Sequence, residues 1–435
     1  MTDTIKVLLL VAEPWRSDDS GGNTLDNFFR GMKGVEFAQV CCASKMPSND
    51  VCSKYFYIPE SELMKNFLTQ KKVGHVVEYH FGEEQVGTDS LVNAQKTVTK
   101  IKNWIKNIRP ESLIALKKFT CRYSNWRTPE LEAFVKEFNP DVIYAPCYAS
   151  PFQLALTRHI KKMTGEKIVT WSADDNYSLR QFSFNPFFWL NRFWNRHCLR
   201  KTYPYYDEFF SISEDEIEEM SPVVGKQMKI LRKGVHVPET FEPRSVHEPI
   251  KFIYAGGLYL NRHKSLIAIA DALRKLNQDE VKAELHIYTG TKMEGKNSSL
   301  LNDGRSSFVH GLVTPETLKG LYQESDVAIH CESFDLKYRL MTRLSFSTKV
   351  IDCFQSGCAI LCIAWEEHTA LKFLKKEDAA FCVTSVKDIE PTVRRIVENP
   401  DLIPKYARKA YECEKKNHRI EDVQKTLFDS FCHLV

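Results

Sequence analysis

One stretch of the sequence combines two hydroxyl residues, a lysine and a predicted helix start. Ser347, Thr348 and Lys349 precede apolar residues at helical spacing, and Gly357 ends the predicted helix before the apolar run 358–364. A buried strand that follows a helix belongs to a parallel sheet, so this helix begins near the carboxyl edge, where α/β proteins bind ligands. Because the first N–H groups of a helix have no partner within it, the stretch predicts a phosphate site.

Two acids follow another predicted strand, and two glycines follow the first one. Asp174 and Asp175 come after Lys167–Ser172, where acceptor binding or base chemistry takes place in α/β proteins. A helix cap with a neighbouring surface acid explains them as well. Gly21 and Gly22 either contact a ligand or simply make a turn. Both interpretations stay open for each pair.

Other cofactor motifs are missing from the sequence. The first strand and its glycines lack the spaced three-glycine dinucleotide fingerprint, and the chain has no phosphate-loop Lys-Ser/Thr signature. Neither NAD nor a P-loop nucleotide is therefore supported. The chain has no Asp-X-Asp motif, and a helix start with cations can replace a metal, so we expect no metal and no cofactor.

Composition favours a globular, intracellular protein. The chain has 435 residues, of which 43% are apolar, enough for two or three domains. Its thirteen cysteines are an odd number and fall largely in predicted strands, and no leader precedes them. We therefore expect a reduced, cytoplasmic protein. No apolar run approaches the roughly 20 residues that span a bilayer.

Charge and aromatic residues are unevenly distributed. The net charge is only +4, but residues 96–122 contain eight basic residues against one acid, with apolar residues at helical spacing. This pattern fits a helix on an anionic membrane surface or a solvated helix that docks on the core. Residues 182–206 are rich in aromatics and arginines, which suits a second interfacial patch or a lid over an acceptor groove. No nucleic-acid-binding module accompanies them, so we expect no nucleic acid partner.

Strands alternate with helices in both halves of the chain. The segment 237–248 contains two prolines and no apolar period, so it reads as a linker. We therefore predict an α/β protein with two doubly wound, Rossmann-like domains that face each other across a cleft. The expected domains are residues 1–240 and 241–412, followed by a helical segment, 413–435, that packs back on the first domain. Residues 60–130 read as polar and helical, and their order is the least defined.

Several short motifs, taken together, resemble one known family. They lie at residues 207–213, 231–235, 254–257, 310–313 and 321–327. In this order they resemble the GT-B glycosyltransferases, most closely the retaining family-4-type enzymes that use nucleotide-diphospho-sugars. The helix start Ser347-Thr348-Lys349 resembles that of enzymes making bacterial surface polysaccharides. The resemblance covers nearly the whole chain, although most motifs lie in its second half.

The resemblance implies roles for individual residues. Arg262 and Lys264 would hold the donor diphosphate and supply catalytic charge, and Asp352 would accept the ribose hydroxyls. The remaining donor-site residues would be Gly256, Gly257, Glu332, Ser347, Thr348 and Lys349. The acceptor side would hold Gly21, Gly22, Asp174 and Asp175. Alternatives stay open, because Arg262 and Lys264 also fit a surface pair and Asp352 a solvated acid. Arg339 and Arg343 could complete the donor site with Glu332, but loop salt bridges explain these three residues as well.

The sequence departs from the family at two functional positions. The family usually has two glutamates eight positions apart, where this chain has Leu344 and Asp352. The leading hypothesis is transfer of a sugar, with retention, to a glycan or lipid-linked acceptor at the cytoplasmic membrane face, in polysaccharide or glycolipid biosynthesis. The missing glutamate keeps open a non-catalytic nucleotide-sugar-binding protein of an assembly complex. A GT-B-fold sugar-nucleotide epimerase is the third candidate.

Overall fold

A computed structural model describes residues 4–17, 20–43, 45–82 and 111–435. Of the predicted amphipathic helix over residues 96–122, residues 96–110 lie outside this range, and the described remainder is helical. All thirteen cysteines are described, and all are free thiols. Among the described residues, no helix has both the length and the apolar character needed to cross a bilayer.

The first domain is built on an eight-stranded sheet with the spatial order β4-β3-β2-β1-β5-β6-β7-β8, in which only β4 runs antiparallel to its neighbour. Its strands are β1 Ile5–Val11, β2 Val35–Cys41, β3 Lys54–Tyr57, β4 His75–Glu78, β5 Val142–Tyr144, β6 Lys167–Ser172, β7 Glu208–Ser211 and β8 Met228–Ile230. Its described helices are α1 Ser20–Phe29, α2 Glu60–Asn66, α3 Glu111–Tyr123, α4 Pro129–Phe138, α5 Pro151–Thr164, α6 Pro186–Thr202 and α7 Glu214–Val224, with a 3₁₀ turn at Tyr203–Tyr205.

The second domain is built on a six-stranded parallel sheet with the order β11-β10-β9-β12-β13-β14. Its strands are β9 Ile250–Ala255, β10 Ala283–Tyr288, β11 Ser307–His310, β12 Val327–Cys331, β13 Ala359–Ile363 and β14 Phe381–Val383. The helices of the second half are α8 His263–Leu276, α9 Lys296–Leu301, α10 Pro315–Gln323, α11 Leu336–Thr342, α12 Thr348–Gln355, α13 Thr369–Lys376, α14 Ile389–Glu398, α15 Leu402–Asn417 and α16 Ile420–Leu434, with a 3₁₀ turn at Val386–Asp388.

Both sheets are covered on their two faces, as their nearly continuous apolar strands predict. Along β1, Leu8 and Leu10 belong to one buried apolar cluster, whereas Val7 and Leu9 belong to another on the opposite face. The same alternation along β9 divides the second domain between two clusters. This arrangement confirms the predicted α/β class with two Rossmann-like domains.

Local structure differs from the sequence prediction in two places. Residues 60–130, expected to be helical, include the strand β4, whose residues are mostly exposed at a sheet edge and carry no buried alternation to reveal it. The second difference is at helix α1, which begins at Ser20. Gly21 and Gly22 therefore lie in the first turn of a helix, not in the preceding loop.

The chain crosses between the domains at two adjacent places. The N–H of Val235 donates to the carbonyl of His418 (2.6 Å), and the N–H of Ile420 donates to the carbonyl of Val235 (2.9 Å). A Cβ on Gly234 would lie 2.5 Å from Cα of Ile420, so this approach requires glycine. Beyond this point α16 packs against α1. Its side chains in the core of the first domain are Val423, Leu427 and Phe431.

Candidate active site

A cavity of about 810 Å³ lies between the two domains. The first turn of α1 and the carboxyl ends of β1 and β6 form one wall, as expected for ligand sites in doubly wound sheets. The residues after β12 and the start of α12 form the other wall. The candidate residues that line the cavity are Gly21, Asp174, Asp175, Arg262, Glu332, Ser347 and Thr348. The candidates outside its lining are Gly22, Gly256, Gly257, Lys264, Lys349 and Asp352.

Arg262 reaches the cavity wall as half of a buried ion pair. Its Nε and Nη2 donate to the two carboxylate oxygens of Glu332 at 2.9 and 2.7 Å. Burial opposes the charge, but the hydrogen bonds and charge of Glu332 outweigh it and raise the pKa of Arg262. The guanidinium also lies 5.0 Å from the ring of Tyr259, and a Cβ on Gly257 would meet that ring at 2.2 Å. Glu332 and Tyr259 thus fix a permanent cation in place.

Lys264 lies only two residues away but points to a different environment. Its Nζ bonds both carboxylate oxygens of Asp335 at 3.0 and 2.8 Å, and 57% of its side chain is exposed. The structure therefore separates Arg262 from Lys264, which the sequence motif treats as a pair. A diphosphate-binding role for Lys264 stays a prediction.

Lys349 covers the glycine-rich end of β9. Gly256 has a φ of +146°, and a Cβ there would lie 2.2 Å from Cε of Lys349. The ammonium donates to the hydroxyl of Tyr254 at 2.8 Å and lies 4.8 Å from the centre of that ring. Burial, followed by the nearby charge of Arg262, lowers the pKa of Lys349. A second cation therefore lies directly behind the cavity wall.

The start of α12 faces the cavity, as the sequence predicts. Ser347 is the N-cap residue, and its Oγ accepts a hydrogen bond from the N–H of Lys349 at 3.3 Å. Thr348 is exposed to the cavity. Asp352, one turn further along, has an exposed side chain and interacts electrostatically with Lys233 on the opposite wall. The helix start, together with the basic side chains of Lys233, Arg262 and Lys349, makes this region suited to an anion.

The two acids after β6 have different surroundings. Asp175 is buried, and its carboxylate accepts hydrogen bonds from Arg192 (2.6 Å), the N–H of Ser178 (2.8 Å) and Gln181 (3.0 Å). It thereby anchors α6 and the loop before it. Asp174 is exposed in the cleft, where its carboxylate accepts a hydrogen bond from Ser345 Oγ of the other domain at 3.0 Å. Asp174 is thus the acid that remains more accessible to a ligand.

A third acid, Glu216, was not singled out by the sequence. Its carboxylate is buried and accepts hydrogen bonds from Ser172 Oγ (2.5 Å) and Ser211 Oγ (2.6 Å). Burial raises the pKa of Glu216 to about 7. The spacing of Ser213 and Glu216, which is typical of a helix capping box, is the feature of the sequence that could have drawn attention to this acid. Leu344 borders the same small space as Glu216, so the second domain presents an apolar side chain there.

Ion pairs across the cleft hold α7 against the second domain. Arg343 is buried and bonds both carboxylate oxygens of Glu219, with Nη2 at 2.7 Å from Oε2. Lys372 bonds Asp215 at 2.5 Å. Arg343, considered for the donor site, is therefore an interdomain salt-bridge partner.

Comparison with known proteins begins from the fold, because no family model and no curated protein matches the sequence. Sucrose-phosphate synthase from Thermosynechococcus elongatus superimposes with a TM-score of 0.61 at 10% identity, over 99% of each chain. An E. coli trehalose-6-phosphate structure bound with UDP-2-fluoro glucose gives 0.59 at 10% identity, also over 99% of each chain. The chain has the GT-B fold.

A partial match completes the comparison. TarM superimposes with a TM-score of 0.51 at 11% identity, and the match covers 72% of this chain but only 58% of TarM. The GT-B fold predicted from the sequence is thus confirmed over nearly the full chain. At such low identity the likeness concerns architecture, and the chemistry must be argued from the site.

Proposed function

We propose that the protein is a glycosyltransferase that moves a sugar from a nucleotide-diphospho-sugar to an acceptor hydroxyl. The observation that carries the proposal is the cavity between the domains, with an anion-binding wall opposite an exposed acid. Arg262 and the start of α12 form the first wall, and Asp174 lies on the second. The UDP-2-fluoro glucose bound to one structure of the same fold supports a nucleotide-sugar donor.

The anion-binding wall suits a diphosphate leaving group. When the bond to the sugar breaks, negative charge develops on the diphosphate, and fixed dipoles and cations stabilise it without reorganising. The N–H groups at the start of α12 supply the dipoles, while Arg262 and Lys349 supply charge. Asp352 is the proposed partner of the ribose hydroxyls.

On the opposite wall, Asp174 is the proposed acceptor ligand. Its exposed carboxylate can accept a hydrogen bond from an acceptor hydroxyl, with Gly21 of α1 on the same side of the cavity. Retention of the sugar's configuration and a family-4-type mechanism rest on the sequence motifs. Both are part of the proposal.

A second candidate is a protein that binds a nucleotide sugar without transferring it. The buried side chain of Leu344, which is 2% exposed, favours it, because a glutamate is usual at this position in the family that the sequence resembles. This chain therefore lacks one carboxylate that a donor sugar would contact there. The two candidates share donor binding and differ in turnover.

The experiment is a thermal-shift panel with UDP, GDP, ADP, CMP and their common sugar conjugates, followed by product analysis with the nucleotide that binds. A ligand at 100 times its Kd stabilises the folded protein by roughly 2.7 kcal/mol, which gives a measurable shift. Lys349→Ala is expected to reduce the shift, and Lys264→Ala tests the motif-based assignment. The matched control is Lys282→Ala, an exposed lysine at the amino end of β10.

The outcomes separate the candidates. Release of nucleoside diphosphate with a new glycosidic bond supports the transferase. A shift without turnover would move the assignment to the binding protein, and conversion of the donor sugar without an acceptor would indicate an epimerase. No shift with any nucleotide would refute the donor site.

We further propose that the enzyme works at an anionic membrane surface on the cytoplasmic side, where a lipid-linked acceptor would lie. Helices α3 and α6 pack against each other and leave apolar side chains exposed. These are Leu113, Leu116, Phe119 and Tyr123 on α3, and Phe187, Leu190 and Phe193 on α6. Exposed cations nearby include Arg127, Arg200 and Lys201. Apolar residues beside cations suit a surface of anionic lipids.

Vesicle flotation tests this proposal. The protein is expected to float with phosphatidylserine vesicles at low salt and less with neutral phosphatidylcholine vesicles, because screening and loss of anionic lipid both weaken the attraction. Leu116→Asp should reduce flotation, whereas Leu312→Asp should not, since Leu312 is an exposed leucine of the other domain. No flotation at low salt would refute the membrane proposal.

A further inference from the structure

Three potential metal ligands converge behind the cavity wall. His330 belongs to β12, Glu332 follows the end of that strand, and His368 directly precedes α13. One ligand atom from each lies within 4.8 Å of the others. The three residues are buried, with exposures of 0%, 2% and 1%. Two rigid elements of the second domain therefore bring two imidazoles and a carboxylate to one point.

The two imidazoles are unusual for buried polar groups. Both ring nitrogens of His330 and both of His368 lack a hydrogen-bond partner in the described part of the chain. Buried polar atoms of folded proteins are nearly always paired, because an unpaired one forfeits its bonds to water. Each of these rings therefore has a nitrogen lone pair that no donor among the described residues occupies. A neutral imidazole with a free lone pair is the form that binds a metal ion.

We propose that His330, Glu332 and His368 bind a divalent transition-metal ion, with Zn²⁺ as the best match. Two imidazole nitrogens and one carboxylate oxygen are an established zinc ligand set. In a tetrahedral site with bonds of about 2.0–2.1 Å, ligand atoms are about 3.3 Å apart. Rotations of the side chains that move each atom by about 1 Å therefore suffice to close the present separations.

The ion pair of Glu332 with Arg262 is compatible with such a site. Each carboxylate oxygen has two lone pairs, so one can accept from Arg262 while another binds the ion. A bound cation would thus be connected through Glu332 to the cation on the cavity wall. The Glu332 carboxylate would then lie between two positive groups.

The test measures metal binding by the full-length protein and does not depend on sugar transfer. Protein stripped with a chelator is titrated with Co²⁺ and with Zn²⁺, and bound zinc is counted by elemental analysis. One ion per chain is expected, with visible Co²⁺ bands typical of low coordination number. His330→Ala and His368→Ala should each weaken Zn²⁺ binding at least about tenfold.

A matched control excludes binding elsewhere on the surface. His286 lies 3.1 Å from His310 and 3.1 Å from Glu284 in a half-buried group, so it is the other place where histidines meet among the described residues. His286→Ala should retain the bound ion. Unchanged binding in a folded His368→Ala variant would overturn the proposal.

The wild-type protein decides the matter even if the variants do not fold. X-ray absorption at the zinc edge should show nitrogen and oxygen ligands with two imidazoles. Sulfur ligands would instead assign the ion to the cysteines and refute the site. Failure of the stripped wild-type protein to take up either ion stoichiometrically would refute it as well.

Discussion

The ion pair between Arg262 and Glu332 gives the sharpest prediction about stability. The two side chains are only 8% and 3% exposed, so solvent screens them little. In the metal-free protein, Arg262→Ala leaves Glu332 as a buried acid without its bidentate partner. Breaking a buried pair from one side costs about 3–5 kcal/mol, and we expect this loss in the free energy of unfolding.

The double variant separates the pair's own contribution from the cost of an orphaned charge. Replacing both residues by apolar ones of similar volume, Arg262→Met with Glu332→Leu, removes the unpaired charge and should restore most of the lost stability. The free energy of unfolding of Arg262→Lys should lie between those of the wild type and Arg262→Ala, because an ammonium keeps the charge but not the bidentate geometry. Each variant is compared by urea unfolding followed by circular dichroism.

The double variant also checks the cause of the deficit, because it removes the orphaned carboxylate together with its partner. A deficit below about 1 kcal/mol at neutral pH, or a double variant as unstable as the single one, would refute this account of the pair.

Three further predictions concern other parts of the cleft. The pKa of Glu216 is about 7 in the folded protein and 4.5 ordinarily, so ionising this acid destabilises the fold. The free energy of unfolding of the wild type, relative to Glu216→Gln, should therefore fall by about 3 kcal/mol as the pH rises from 4.5 to 7. A difference between the two proteins that does not change with pH would contradict this. Gly256→Ala should cost about 1–3 kcal/mol in thermal unfolding and displace Lys349, because alanine is strained at this positive φ; an unchanged Tm would show that the backbone relaxes. Arg343→Ala removes the bonds to Glu219 that join the domains. The radius of gyration measured by small-angle scattering should therefore rise. Unchanged scattering would show that other contacts suffice to hold the domains together.

The architecture could be predicted because it follows from local patterns. Apolar runs such as β1 and β9, with helices between them, specify covered parallel sheets without knowledge of distant contacts. The helix start at the cavity could be predicted for the same reason, since Ser347 and Thr348 are cap residues that precede an apolar period. The edge strand β4 was missed because its pairing with β3, rather than any pattern of its own, makes it a strand.

The site was less predictable because its side chains are paired by long-range contacts. Arg262 and Lys264 are two residues apart, but Glu332 and Asp335 draw them into different environments. Similarly, His330 and His368 are far apart in the sequence, and no short spacing motif connects them. The lack of an Asp-X-Asp motif, on which the expectation of no metal rested, carries no information about a cluster of this kind. Contacts of this kind become visible only when the strands and helices are packed.

The paired crossings at Val235 and Ile420 bear on how the cleft can open. A single linker would let the two domains rotate about any axis. Two hydrogen-bonded crossings side by side instead leave one hinge axis about which the domains can rotate. The walls that carry Arg262 and Asp174 would then separate and return along one path. In the proposed transferase, each closure would bring donor and acceptor into the same relative orientation, without needing a lid to guide them.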